Sequence, residues 1–211
     1  MTGAREPATS FCGDALAPLG RCRRLSYRWH SSTQLRSTLI AMRADIYWIA
    51  DIPSGRLAIL GRPRSGDWLS DEIADWKAAG LTDIVSLLED HEIRELDLAR
   101  EAELAERAGL SFERFPIPDR GVPGSSEAAH VLWARLEARI RSGHSVGIHC
   151  RASIGRAGLV AVGVLLRLGV PEGVAWQRAS KARGRPVPDT DEQRSWVVNA
   201  FLQAFLSRSD S

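Results

Sequence analysis

The sequence is short of cysteine, almost without lysine, and has no long apolar run. Three cysteines in 211 residues are too few, and odd in number, for a disulfide framework. A reducing, cytoplasmic setting is the expectation that follows. No segment approaches the roughly 18–20 apolar residues that a membrane-spanning helix needs. The most apolar stretch, 157–166, stops at Arg167 and reads as a buried helix. There is no internal repeat. With 44% hydrophobic and 26% charged residues, collagen-like, low-complexity and wholly disordered classes are excluded.

Acidic residues are missing from one region. None falls between Asp14 and Asp45, where Arg21, Arg23, Arg24, Arg28, Arg36 and Arg43 stand among many Ser and Thr. Three origins fit such a leader: an organellar transit segment, a disordered extension, or upstream sequence with the start at Met42. Residues 1–41 are expected to be a disordered extension and 42–211 a single folded domain. The leader holds six arginines against two acids, whereas the remainder holds 22 basic and 24 acidic residues. The basic pI near 8.6 therefore belongs to the leader, and no nucleic-acid partner is expected.

From Met42 onward, apolar runs alternate with helical patterns. Strands are predicted at 46–49, 57–60, 83–88, 112–117 and 145–149. Helices are predicted at 68–79, 92–108, 126–141, 157–168, 171–182 and 190–206. Alternation first and consecutive helices last point to an α/β domain with a helical C-terminal part. The charge run 92–107 reads as a solvated helix face. Trp48, Trp68, Trp76, Trp133, Trp176 and Trp196 fall within elements and read as core and rim packing.

One segment carries chemistry. In 146–158, VGIHCRASIGRAG, a short strand runs into Cys150, a turn with Gly155 leads to Arg156, and an apolar helix follows. Spacing alone is cheap, since among 26 arginines any Cys has about a one-in-eight chance of an Arg six residues on. Cys22 and Arg28 show the same interval. Only Cys150 has the strand before it, the glycine in the turn and the helix after it.

A loop closing onto a helix N-terminus gathers backbone N–H groups into a cradle for phosphate, and the same field stabilises a thiolate. The loop residues Arg151, Ala152, Ser153, Ile154 and Gly155 would form that cradle. Arg156 offers a planar fork for two phosphoryl oxygens. A thiolate at the base can attack phosphorus in line and form a phosphocysteine. Asp119, on a Pro-stiffened loop after a predicted strand, is the favoured proton donor, although Pro-Asp-x-Gly is also turn chemistry by itself. His149 either orients the loop or packs as a structural histidine.

These features resemble the cysteine-dependent protein tyrosine phosphatases, and best their small dual-specificity-like branch. The resemblance rests on His149-Cys150-x5-Arg156 with its following helix and on Pro118-Asp119-Arg120-Gly121. It implies a central, mixed, mostly parallel sheet flanked by helices, with Cys150 as nucleophile, Arg156 as phosphate clamp and Asp119 as general acid. It implies no metal and no cofactor, and as substrate a phosphorylated protein or other phosphomonoester. The chain lacks the Asn-Arg-Tyr segment of the larger tyrosine phosphatases.

Three positions depart from the family pattern or are ambiguous in it. Ala157 stands where most members have a Ser or Thr that donates to the sulfur. Ser153 stands where Gly is common. Arg151 either helps bind a more anionic substrate or is solvated. Gln193 matches a glutamine that some members use to place the hydrolytic water, and Thr190-x-x-Gln193 is equally a capping box. Rival functions are a phosphatase on a non-protein substrate such as a phosphoinositide, and a catalytically weak phosphate-binding module. A rhodanese-like sulfur transferase would have no use for the Asp119 loop.

Overall fold

The structure, a computed structural model, describes residues 44–49, 52 and 54–209, with side chains as far as 203. The 1–41 extension, and with it the Cys22 decoy, lies outside the described residues. Five strands build one sheet: β1 (Ile46–Ile49), β2 (Arg56–Leu60), β3 (Asp83–Ser86), β4 (Ser111–Arg114) and β5 (Ser145–His149). Their order is β1-β2-β5-β3-β4, with β1 antiparallel to β2 and every other pairing parallel. The sheet is thus mixed and mostly parallel, as expected. β5 lies in the middle, all five of its residues buried.

Alternation along the strands divides the core into two layers. Leu57, Ile59, Val85, Val146 and Ile148 face one side, against α4 (Ser126–Arg141), α5 (Gly155–Arg167), α6 (Glu172–Arg183) and α7 (Asp191–Ser209). Ala58, Leu60 and Ile84 face the other, against α1 (Leu69–Ala78), α2 (Asp90–Glu95) and α3 (Glu101–Arg107). The four C-terminal helices form one layer, and the three shorter ones form the other. Trp76, Trp133 and Trp176 are buried as expected, whereas Trp68 is 56% exposed and lies under the Arg64 guanidinium.

Three expectations require correction. The helix predicted over 92–108 is two helices. The chain leaves α2 at Leu96, turns through Asp97 in the left-handed region (φ 51°) and re-enters at Glu101. Leu98 anchors the break by burying its side chain and donating its N–H to Ile93. The charge run is solvated over most of its length, with Arg94, Glu95, Arg100, Glu103, Glu106 and Arg107 exposed, but two of its carboxylates are not, for Glu92 and Glu101 are 1% and 2% exposed. In addition, α5 begins at Gly155, two residues before its expected start, so Arg156 belongs to the first helical turn.

Candidate active site

The parallel strands β5, β3 and β4 end on the same edge of the sheet, where open α/β sheets hold their ligands. β5 delivers Cys150 there, 2% exposed. Its side chain belongs to the layer of α4–α7. The loop then turns sharply at Ser153, whose φ of 56° is left-handed. This is the physical content of the family's usual glycine, because only glycine occupies that region without cost. Here the turn is stabilised locally. The Cys150 N–H donates to Ser153 Oγ at 3.5 Å, and the Ser153 N–H donates to Cys150 Sγ at 3.2 Å.

The outer side of the loop is held by a residue the sequence did not single out. Arg183 of α6 donates from Nε to the Ser153 carbonyl (2.9 Å) and from Nη2 to the Ala152 carbonyl (3.3 Å). Its guanidinium stacks 4.2 Å from the Tyr47 ring centroid. Arg151 points elsewhere, making a two-pronged bond to Glu95 of α2 (2.9 and 2.6 Å). That pairing holds the Glu95 carboxyl below its ordinary range and the Arg151 guanidinium above its own.

Arg156 is 2% exposed and forms the hub of the site. Nη1 donates to Glu92 Oε2 (2.6 Å) and to the Ile117 carbonyl (3.0 Å), while Nη2 donates to Glu92 Oε1 (2.9 Å) and Asp119 Oδ1 (2.9 Å). Glu92 Oε2 also accepts the Glu89 N–H at 3.0 Å, as part of the capping box that starts α2. Burial pushes the Glu92 carboxyl up, but the Arg156 hydrogen bonds, the Glu89 N–H and the Arg156 charge outweigh it and leave the group below its ordinary range. Burial likewise opposes the charge on Arg156. Glu92, Cys150 and Asp119 overcome that penalty and raise its pKa.

Asp119 lies on the loop after β4, its side chain 58% exposed. The Asp119 N–H donates to Glu89 Oε2 at 3.3 Å, and the following Arg120 is left-handed (φ 56°). On the far side, Gln193 is fully buried and donates from Nε2 to the Gly121 carbonyl at 2.9 Å. His149 does not serve the loop. Its ring is buried on the opposite face of the sheet, 5.9 Å from Trp76 and with Nε2 2.9 Å from Glu101 Oε1, off the line of a directed hydrogen bond. Strand alternation requires this, since His149 and Cys150 are neighbours and must face opposite sides.

The structure therefore brings together Cys150, Ser153, Arg156 and Asp119, with Gln193 at the margin. It turns the Arg151 side chain toward Glu95 and buries His149 on the opposite face of the sheet, and it adds Glu92, Glu89 and Arg183. In chemical terms, an anion entering the cradle meets the Arg156 fork from the edge where Asp119 now sits. A phosphoryl oxygen taking the place of Asp119 Oδ1 on Nη2 would free that carboxyl to face the ester oxygen.

A family model described as "Tc-R-P: Polymorphic toxin system, DSP-PTPase phosphatase" matches residues 59–170. No curated protein matches the chain. Among solved structures, kinase associated phosphatase (KAP) with its catalytic-site cysteine replaced by serine is similar at 19% identity and TM-score 0.67. That match covers 74% of this chain and 93% of the other. Tk-PTP in its active form is 28% identical, TM-score 0.59, over 74% of this chain and 94% of its own. A variant of human DUSP28 is 17% identical, TM-score 0.54, over 78% and 98%. The fold is that of the dual-specificity and tyrosine phosphatases, and the chain belongs to the Tc-R-P family of DSP-PTPase phosphatases.

Proposed function

We propose that the protein hydrolyses phosphotyrosine, phosphoserine or phosphothreonine in proteins, by way of a phosphocysteine on Cys150. The observation that carries this is the convergence of three groups on one cradle: a buried sulfur receiving a backbone N–H, an arginine fork, and a carboxyl bonded to that fork. The Cys150 thiolate attacks phosphorus while the bond to the ester oxygen breaks, and Asp119 gives that oxygen its proton. Water then attacks the phosphocysteine, Asp119 takes back a proton, and phosphate leaves as the S–P bond breaks. Arg156 bears the phosphoryl charge throughout. Because the nucleophile is a reduced thiol, a reducing cytoplasmic setting belongs to the same proposal.

Asp119→Asn tests the acid. It keeps the shape and removes the proton, so kcat/KM for phosphotyrosine peptides, which reports the first step alone, should fall by about 10²–10⁴-fold, the usual worth of a general acid. An aryl phosphate with a good leaving group should lose far less. Equal losses on both would assign Asp119 a structural role.

Ala157 sits fully buried in the first turn of α5 and brings no hydroxyl to the sulfur. Breakdown of the phosphocysteine is accordingly slow. Ala157→Ser should speed it by roughly a factor of five, the worth of a hydrogen bond of about 1 kcal/mol. The check is the burst amplitude and steady rate of 4-nitrophenyl phosphate hydrolysis in a stopped-flow experiment. An unchanged burst would remove this account of Ala157.

A non-protein phosphomonoester such as a phosphoinositide is the second reading, supported by Arg151 at the loop's edge. Its guanidinium is already matched by Glu95, which favours protein substrates. Turnover of phosphopeptides against inositol phosphates separates the two.

A further inference from the structure

We infer that Gln193 is a latch for the acid loop: its side chain holds the Asp119 turn over the phosphate cradle instead of placing the hydrolytic water. This rests on the phosphatase reading above and deepens it.

Gln193 is fully buried, and both ends of its amide are engaged by backbone. Oε1 accepts the Asp189 N–H at 3.2 Å, and Nε2 donates to the Gly121 carbonyl at 2.9 Å. One partner is a donor and the other an acceptor, so the orientation of the amide is dictated. Its own N–H is capped by Thr190 Oγ1 at 3.2 Å, which separates capping from latching. Thr190 caps the helix, and the Gln193 side chain reaches past it.

Gly121 is two residues from Asp119 and closes the turn by donating its N–H to the Pro118 carbonyl at 2.8 Å. Arg120, between them, is left-handed (φ 56°). Such a conformation costs a non-glycine residue about 1–2 kcal/mol and persists where the surroundings hold it. Glu89 Oε2 holds the near end of the turn through the Asp119 N–H, and Gln193 holds the far end. The latch also touches the cradle. A β-carbon on Gly155 would lie 2.5 Å from Asp189 Oδ2 and 2.7 Å from Gln193 Oε1. Glycine at 155 is what lets α7 approach the phosphate loop and the acid loop together. A water-placing glutamine would have to aim the same amide at solvent, and that would release the loop.

Two measurements on the full chain decide the matter. The first reads the loop alone, by hydrogen exchange of the segment 118–123 in a Cys150→Ser background. Gln193→Glu keeps the acceptor for Asp189 and Thr190's capping bond but sets a carboxylate against the Gly121 carbonyl. Exchange should quicken by about tenfold or more, the effect of losing one buried hydrogen bond of about 1.4 kcal/mol. Unchanged exchange overturns the latch. The second reads catalysis with Cys150 in place. Gln193→Glu and Gln193→Ala should lower kcat/KM for phenyl phosphate by about tenfold or more, a fraction of the full general-acid effect, and for 4-nitrophenyl phosphate by less than about threefold. Equal losses of kcat/KM on both substrates would overturn the latch; unchanged kcat/KM on both, with a lower kcat and more phosphocysteine than in the wild type, would make Gln193 the water-placing residue and overturn it too. A wild-type chain inactive on every aryl phosphate would overturn the phosphatase reading, while the exchange result would still decide the latch.

Discussion

Cys150→Ser should abolish turnover, by about 10⁴-fold or more, while leaving phosphate binding nearly intact. The magnitude follows from removing the only atom that forms the covalent intermediate, and single knockouts of such nucleophiles cost this much in other covalent enzymes. A serine hydroxyl in the same place is un-ionised at neutral pH, and among the described residues the sulfur it replaces is hydrogen-bonded to the Ser153 N–H and to no carboxylate or imidazole. Binding survives because it depends on other groups. Arg156 stays pinned by Glu92, and Arg183 still holds the loop carbonyls. Calorimetric titration with a phosphopeptide should therefore give an affinity within a few-fold of wild type. The matched control is Cys22→Ser, since Cys22 shares the spacing to an arginine but not the sequence pattern that surrounds Cys150. Its activity should equal that of wild type.

Glu92→Gln should be the most destabilising single change at the site, at about 3–5 kcal/mol. Glu92 and Arg156 are 1% and 2% exposed, and removing one member of a buried pair leaves the other as an uncompensated charge. For a domain of this size that loss corresponds to roughly 6–20 °C in Tm. Catalysis suffers separately, since the Arg156 fork loses one of its two contacts to residue 92 and meets an NH2 group there instead. A fall of about 10–100-fold in kcat/KM is expected where the variant remains folded. The pH dependence has a definite sign. The Glu92 carboxyl lies below its ordinary value of 4.5 in the folded protein, so its contribution is complete above that pH. It is lost as the pH falls from about 4.5 through the lower folded value. The stability gap between wild type and Glu92→Gln should therefore be full at neutral pH and narrow below about pH 4.5. Urea unfolding of both proteins across that range measures it. A gap that stays constant in acid would mean that the ion pair contributes nothing.

The parts of the site legible in the sequence were those written contiguously. Strand, loop and helix around Cys150 follow one another within 14 residues, 145–158, so local patterning was enough to single out the proposed nucleophile, cradle and clamp. Asp119 was legible because proline and glycine mark its loop. What could not be read is what the fold brings from afar. Glu92 is 64 residues from Arg156, and in a run rich in both charge signs it looks like any solvated carboxylate. The one local signal was its spacing from Glu89, which is that of a capping box and says nothing of burial. The break at Asp97 was hidden for a related reason. No glycine or proline announces it, and the left-handed turn is held by the burial of Leu98. Ser153 shows the converse. The family pattern flagged the position, but only the backbone angle and the Oγ bond show how serine is accommodated there.

The central claim is that a phosphoryl group passes through Cys150. The direct test is to mix the protein with a rapidly cleaved aryl phosphate, quench in the first turnovers, and locate the phosphoryl group by peptide mass spectrometry. The slow breakdown proposed for a site with Ala157 in place of a hydroxyl donor would make the adduct easy to catch. The account predicts one phosphoryl group on the peptide carrying Cys150, none on those carrying Cys12 or Cys22, and none anywhere in Cys150→Ser. Turnover with no adduct on Cys150, surviving in Cys150→Ser, would contradict it.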